Sequence, residues 1–165
     1  MRRTLQHARK PLMTPRSSRF EGRFALPDID ATETLGRRIA AGLARGDLVT
    51  LEGDLGAGKT TLARAILRGL GVAEDVPSPT FTLVQVYETA RLPVRHVDLY
   101  RVEDPMEIDE LGLDEALGEG AALVEWPEHG SGRLPEPSLH VQLTADDARQ
   151  AAVSGDARWK EFLGG

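Results

Sequence analysis

The sequence predicts a single-domain α/β fold, with a mixed, mostly parallel central sheet flanked by helices. Two observations carry this. The segment Gly53-Asp54-Leu55-Gly56-Ala57-Gly58-Lys59-Thr60 fits the P-loop pattern G-x-x-x-x-G-K-S/T and lies between a strand-like run and a helix-like run. Around it, short apolar runs alternate with amphipathic helical ones, as expected of helices laid against a sheet. A length of 165 residues allows one domain with a sizeable core and is short for two.

Taken in order, Asp30-Ala31-Thr32-Glu33 reads as a capping box opening a helix with Leu35, Ile39 and Leu43 on one face and Gly46 as its stop. Leu48-Val49-Thr50-Leu51 reads as a buried strand, and residues 61–70 as a helix closed by Gly71. Residues 81–87 and 93–98 have strand composition and, joined by a short polar connection, read as an antiparallel pair. Pro105 starts a helix carrying Met106, Ile108 and Leu111, with another short helix at 114–117. Ala121-Ala122-Leu123-Val124 suits a central strand. Leu139, Val141 and Leu143 alternate with polar residues and suggest a late edge strand. The boundaries expected are a basic N-terminal extension at 1–22, a P-loop domain at 23–150 and a C-terminal tail at 151–165.

Charge narrows the partners. Residues 1–20 carry six bases and no acid, with Pro11 and Pro15 and no clear period. A disordered extension, or extra residues before a start at Met13, is the first reading there, and an Arg-rich transit peptide the second. The rest of the chain holds 14 bases against 26 acids. So acidic a body is a poor independent nucleic-acid binder, because phosphate contacts need a basic surface. The absence of cysteine excludes disulfides, thiolate metal sites and cysteine nucleophiles. No apolar run approaches the roughly 20 residues needed to span a bilayer, which points to a soluble cytoplasmic domain.

The glycine-rich segment states its own chemistry. Glycines let the backbone turn tightly and point N–H groups inward as a nest for phosphate oxygens, and the following helix offers its positive end to the same anion. Lys59 can reach the β- and γ-phosphates, and the Thr60 hydroxyl can hold Mg2+. Hydrolysis also needs a carboxylate at a neighbouring strand end, and both Asp98 and Glu125 qualify. Thr80, within Ser78-Pro79-Thr80-Phe81-Thr82, is placed to sense the γ-phosphate or simply to follow a proline turn. Trp126 either lines a binding surface or anchors the core. His96 and His129 lack metal-type spacing and read as structural. The acidic stretch 103–115 reads as a solvated helical face or a dock for a basic partner. With no asparagine in the chain, the N-K-x-D guanine-reading motif cannot exist, and ATP is the expected nucleotide.

The P-loop, then Ser78-Pro79-Thr80-Phe81-Thr82, then His96-Val97-Asp98-Leu99-Tyr100-Arg101, then Glu125-Trp126-Pro127-Glu128 together resemble the bacterial TsaE (YjeE) family. That family is the ATPase component of the machinery that makes threonylcarbamoyladenosine at position 37 of ANN-decoding tRNAs. The resemblance implies a P-loop NTPase fold, with nucleotide contacts at Asp54, Leu55, Gly56, Ala57, Gly58, Lys59, Thr60 and Thr61, and further ones at Thr34 and Trp126. It implies catalytic roles for Lys59, Asp98, Glu125 and Thr80, and a metal site of Thr60, Asp98 and Glu125. It implies ATP and Mg2+ as cofactors, and TsaD and TsaB type proteins as partners, with tRNA reached through them. A third enzyme, TsaC, would make the threonylcarbamoyl-adenylate.

Two other readings share the cradle. A small-molecule kinase would need a lid with arginines, for which Arg91, Arg95 and Arg101 are the available side chains, though no long lid insertion is visible. A nucleotide-gated interaction module would use binding rather than turnover.

Overall fold

The computed structural model describes residues 19–77, 83–130 and 132–165. Thr80 and its neighbours, and the expected disorder of the first eighteen residues, lie outside the described residues. The elements run β1 (Arg19–Ala25), α1 (Ile29–Gly42), β2 (Leu48–Glu52), α2 (Lys59–Gly69), β3 (Val84–Glu88), β4 (Pro93–Asp98), α3 (Met106–Asp109), α4 (Leu113–Glu119), β5 (Ala121–Glu125), β6 (Leu139–Thr144), β7 (Gln150–Asp156) and α5 (Lys160–Leu163). The seven strands form one sheet in the order β1-β7-β6-β2-β5-β4-β3. β2 pairs in parallel with β5 and β6, and β4 with β5, while β1–β7, β6–β7 and β3–β4 are antiparallel. Thus β1, β6, β2, β5 and β4 point one way, and only β7 and β3 run against them.

The sheet is covered unequally. On one face, α1, α2 and α5 lie over a core that includes Val49, Leu51, Leu123, Val141, Val153 and the fully buried Trp159. On the other, Ile108 of α3, Leu113 of α4 and Leu111 of the turn between them pack against Leu48, Val97, Ala122 and Val124. Their side chains alternate along β2 and β5, as a strand's two-residue period requires.

α1 begins on Asp28, whose Oδ1 accepts the Ala31 N–H at 2.9 Å. The expected box at Asp30 therefore starts two residues late, and Asp30 stands in the first turn instead. With no base of its own in its last turn, α1 is finished from elsewhere. Arg91 donates to the carbonyls of Ala40 and Leu43, each at 2.7 Å, and Arg158 to that of Gly42 at 2.9 Å.

Three expectations change here. β6 is an interior strand between β2 and β7, which is why Leu139, Val141 and Leu143 are all buried. Residues 151–165 are not a tail: β7 closes onto β6, and Trp159 and Leu163 enter the core. Nor does a boundary fall after residue 22, because β1 pairs with β7 from Arg19 to Ala25. Small residues hid β7, whose inward side chains are only Ala151, Val153 and Gly155, and arginines masked the Phe20-Gly22-Phe24 alternation of β1. Trp159→Ala removes the largest buried side chain and is expected to destabilise the fold by about 3–5 kcal/mol in chemical denaturation.

Candidate functional site

The site forms where three parallel strands end together. Asp98 at the end of β4 stands opposite Glu125 at the end of β5, and Leu51 of β2 stands opposite Glu125 on the other side. The chain leaves β2 at Glu52, turns through residues 53–58 and enters α2 at Lys59. Open α/β sheets place their ligands at this carboxyl edge, where connections diverge to opposite sides.

The turn depends on its glycines. Gly58, the N-cap of α2, has φ 107, a left-handed conformation that side chains resist. A Cβ on Gly53 would lie 2.7 Å from the carbonyl oxygen of Leu143, so a side chain there would push β6 away. The N-terminal turn of α2 offers its backbone N–H groups and its positive dipole end to an anion.

Lys59 is buried. Its ammonium donates to the carbonyls of Gly53 at 2.5 Å and Asp54 at 2.9 Å and sits 4.0 Å from the centroid of the Trp126 ring. Burial pushes its pKa below the ordinary lysine value, against the pull of Glu125, Glu128, Asp98 and Asp54. Trp126 holds φ 59, an uncommon state for a residue other than glycine. Its N–H is tied to the Leu51 carbonyl at 3.2 Å. Tyr100 lies at 4.9 Å and His129 at 5.3 Å from the same ring, centroid to centroid, and the His129 Nδ1–H donates to the Leu99 and Tyr100 carbonyls.

Beside Lys59, the Thr60 hydroxyl donates to Glu125 Oε1 at 2.8 Å, and Glu125 Oε2 accepts from His96 Nε2 at 2.6 Å. Asp98 accepts the Tyr100 N–H at 2.9 Å and lines the same cleft. This cleft, about 480 Å³, runs from Gly56 and Gly58 past Lys59, Thr60 and Thr61 to Trp126 and Arg149. A smaller one of about 270 Å³ shares Thr61 and Arg149 and continues to Leu26, Ile29 and Thr32. A third hollow backs the P-loop at Asp54, Leu55, Gly56 and Ala57.

Hydroxyl and carboxylate oxygens are the donors a hard cation such as Mg2+ takes, and Mg2+ needs only one or two carboxylates when phosphate and water complete its shell. That suits a site where, among the described residues, no group of three or more His, Asp or Glu side chains could hold a metal alone. The residues present fit both Mg2+ and a polyphosphate.

Of the residues singled out in the sequence, Gly56, Gly58, Lys59, Thr60, Thr61, Asp98, Glu125 and Trp126 meet in this cleft. Leu55, exposed at the tip of the loop, lines the same cleft, while Asp54 and Ala57 line the hollow behind the P-loop. Thr34 is on an outward face of α1, donating to the Asp30 carbonyl and accepting from Arg37. It lines neither cleft; the threonine of α1 that does is Thr32. Sequence reasoning left His96 as structural and gave no part to Arg149 or Glu128. The signal for His96 was its place two residues before Asp98, on the same face of a strand; Arg149 had none, because it sits in the loop before β7.

The family model described as "Threonylcarbamoyl adenosine biosynthesis protein TsaE" matches residues 26–152. A protein of Bacillus subtilis named tRNA threonylcarbamoyladenosine biosynthesis protein TsaE is 43% identical over 137 residues, covering 81% of this chain and 85% of the relative. One of the same name from Streptomyces coelicolor is 42% identical over 135 residues, covering 76% and 91%. The crystal structure of Bacillus subtilis YdiB aligns with a TM-score of 0.68 and 32% identity, over 88% of this chain and 90% of that one.

Trp126 shares the cleft with Lys59, while Trp159 is fully buried in the core. Adding Mg·ATP is therefore expected to change tryptophan emission, and Trp126→Phe to abolish the change; a response surviving that substitution would place the ligand elsewhere.

Proposed function

The chain belongs to the TsaE family, and from that premise we propose that it is a Mg2+-dependent ATPase required for threonylcarbamoylation of adenosine 37 in ANN-decoding tRNAs. It would act in the cytoplasm with TsaD and TsaB type proteins, which would supply the contact to tRNA that its own acidic body is ill suited to make. The observation that carries the reading is the bond from Thr60 to Glu125 at the head of α2, beside a P-loop lysine in the same cleft.

Each side chain then has a task. The N-terminal turn of α2 and Lys59 bind the phosphates, whose negative charge replaces the carbonyls that now satisfy the ammonium. Thr60 and Glu125 would hold the metal, which would supply positive charge to offset the negative charge on the phosphoryl oxygens. Asp98 offers a carboxylate within the cleft to orient a water molecule. Trp126 and Tyr100 wall the cleft. The base and ribose extend past Thr61 and Arg149 into the hollow lined by Leu26 and Ile29.

Two of the three arginines that the kinase reading could use are engaged elsewhere. Arg91 is committed to the end of α1, and Arg95 to the carbonyls of Leu111 and Gly112. Neither lines the phosphate cleft.

Lys59→Ala is expected to lower ATP turnover by about 10²–10³ while leaving the circular dichroism spectrum unchanged. In cells depleted of the protein, the threonylcarbamoyladenosine content of total tRNA, read by nucleoside mass spectrometry, is expected to fall. Wild-type chain should restore it and Thr60→Ala should not. Unchanged content after verified depletion would remove the pathway from the reading, and rescue by Thr60→Ala would remove the metal.

A further inference from the structure

His96 is the most deeply buried titratable side chain of β4, and nucleotide chemistry gives it no task. It is wholly enclosed, and Glu125, its partner, is 2% exposed. An enclosed carboxylate needs donors, because taking an ionised group from water without them is costly. Glu125 has one on each oxygen: His96 Nε2 at 2.6 Å on Oε2 and Thr60 Oγ1 at 2.8 Å on Oε1. One donor lies deep under α2 and the other at the mouth of the cleft.

The chemistry of the three groups fixes the direction of each bond. A carboxylate only accepts, so His96 carries its proton on Nε2, and the Thr60 hydroxyl points its hydrogen at Glu125. The lone pairs of Thr60 Oγ1 are then turned away from Glu125 and free to meet a cation. Register makes this possible: β4 and β5 pair in parallel with His96 opposite Leu123 and Asp98 opposite Glu125. His96 and Asp98 thus share the face on which Glu125 also stands, with the imidazole one step deeper.

The other ring nitrogen argues that this bond is what the histidine is there for. Nδ1 is buried and has no hydrogen-bond partner among the described residues. An apolar side chain of similar size would leave no orphaned polar atom, so packing alone would be served better without an imidazole.

We propose that His96 is the positioning residue of the metal-holding carboxylate. Its Nε2–H pins Glu125 Oε2, so that Oε1 is held on Thr60 and the hydroxyl presents its lone pairs to Mg2+. The role rests on the Mg·nucleotide reading given above. Partners of this kind, one bond removed from the ligand, set how well the ligand is aimed, and their loss typically costs about 10–100-fold in metal affinity.

The test compares two amides. Glutamine places an N–H where Nε2 stands, whereas asparagine places one near Nδ1, out of reach of Glu125. ADP affinity of the full chain is measured by titration calorimetry with and without Mg2+, and the ratio is the readout. His96→Gln is expected to keep the wild-type ratio within about threefold, and His96→Asn to lower it by about 10–100-fold while metal-free ADP binding persists. An Asn variant with the wild-type ratio, a Gln variant that loses the ratio equally, or equal loss of metal-free binding in both would overturn the role. A wild-type ratio of one would instead overturn the Mg·nucleotide reading, and this role with it. Nitrogen-15 spectra of the wild-type imidazole decide independently of any variant's folding: the Nε2–H tautomer is expected, and the Nδ1–H tautomer would sink the proposal.

Discussion

Glu125 is a carboxylate with almost no access to water, and the rest of the site is arranged by what such a group demands. Both of its oxygens must be met by donors, and each comes from a different element: Thr60 from the first turn of α2 and His96 from β4. That fixes β5 between β2 and β4 at the point where all three end. It also fixes how closely the head of α2 approaches the sheet, and so where the phosphate-binding turn of that helix lies. A small displacement of β4 or α2 would strand an oxygen, and the cost of an unmet buried polar atom resists it. Fold and site are therefore joined through one side chain.

A second constraint acts on Lys59. Its ammonium is enclosed, lowered in pKa by that enclosure, and still ringed by Glu125, Glu128, Asp98 and Asp54. Excess negative charge around one cation is unfavourable while the cleft holds only protein. On the proposed function it would become useful, because a second cation shared with a polyphosphate would then have carboxylates to meet. The aromatic wall works in the same sense, offering the ammonium a ring face.

The sequence disclosed the parts of this arrangement that are local. The P-loop is contiguous, so its glycines, Lys59 and Thr60 are legible from spacing alone. Glu125 and Asp98 are legible as acids at strand ends. What stayed hidden was what the sheet brings together. That His96 belongs to Glu125 depends on β4 lying beside β5, a pairing across 29 residues. Arg149 joins the cleft only because β7 returns alongside β6, and β7 was unreadable because its inward positions are so small. The start of α1 was misplaced for a different reason: Asp28 and Asp30 are both adequate caps by type, and only the backbone, extended at Asp28, chooses between them. Thr34, which only the family resemblance implied, stands on an outward face of α1. A two-residue shift in a helix turns a side chain through more than half a circle, and Thr32 rather than Thr34 faces Thr61.

The strain in Trp126 bears on how the cleft can select its ligand. The residue is kept at φ 59 by the strand ends on either side of it, through its N–H bond to Leu51 and through Glu125 immediately before it. Its ring is presented to Lys59, and the ammonium is already satisfied by two carbonyls and that ring. An incoming anion must therefore exceed an existing set of interactions rather than fill an empty one. A single weak anion gains little from the exchange. On the proposed function, a polyphosphate would engage the ammonium, the N-terminal turn of α2 and, through a metal, Thr60 and Glu125 together, a combination that outweighs what is given up. On that proposal, selectivity for a metal-bound nucleotide would follow from how well the lysine is held before the nucleotide arrives.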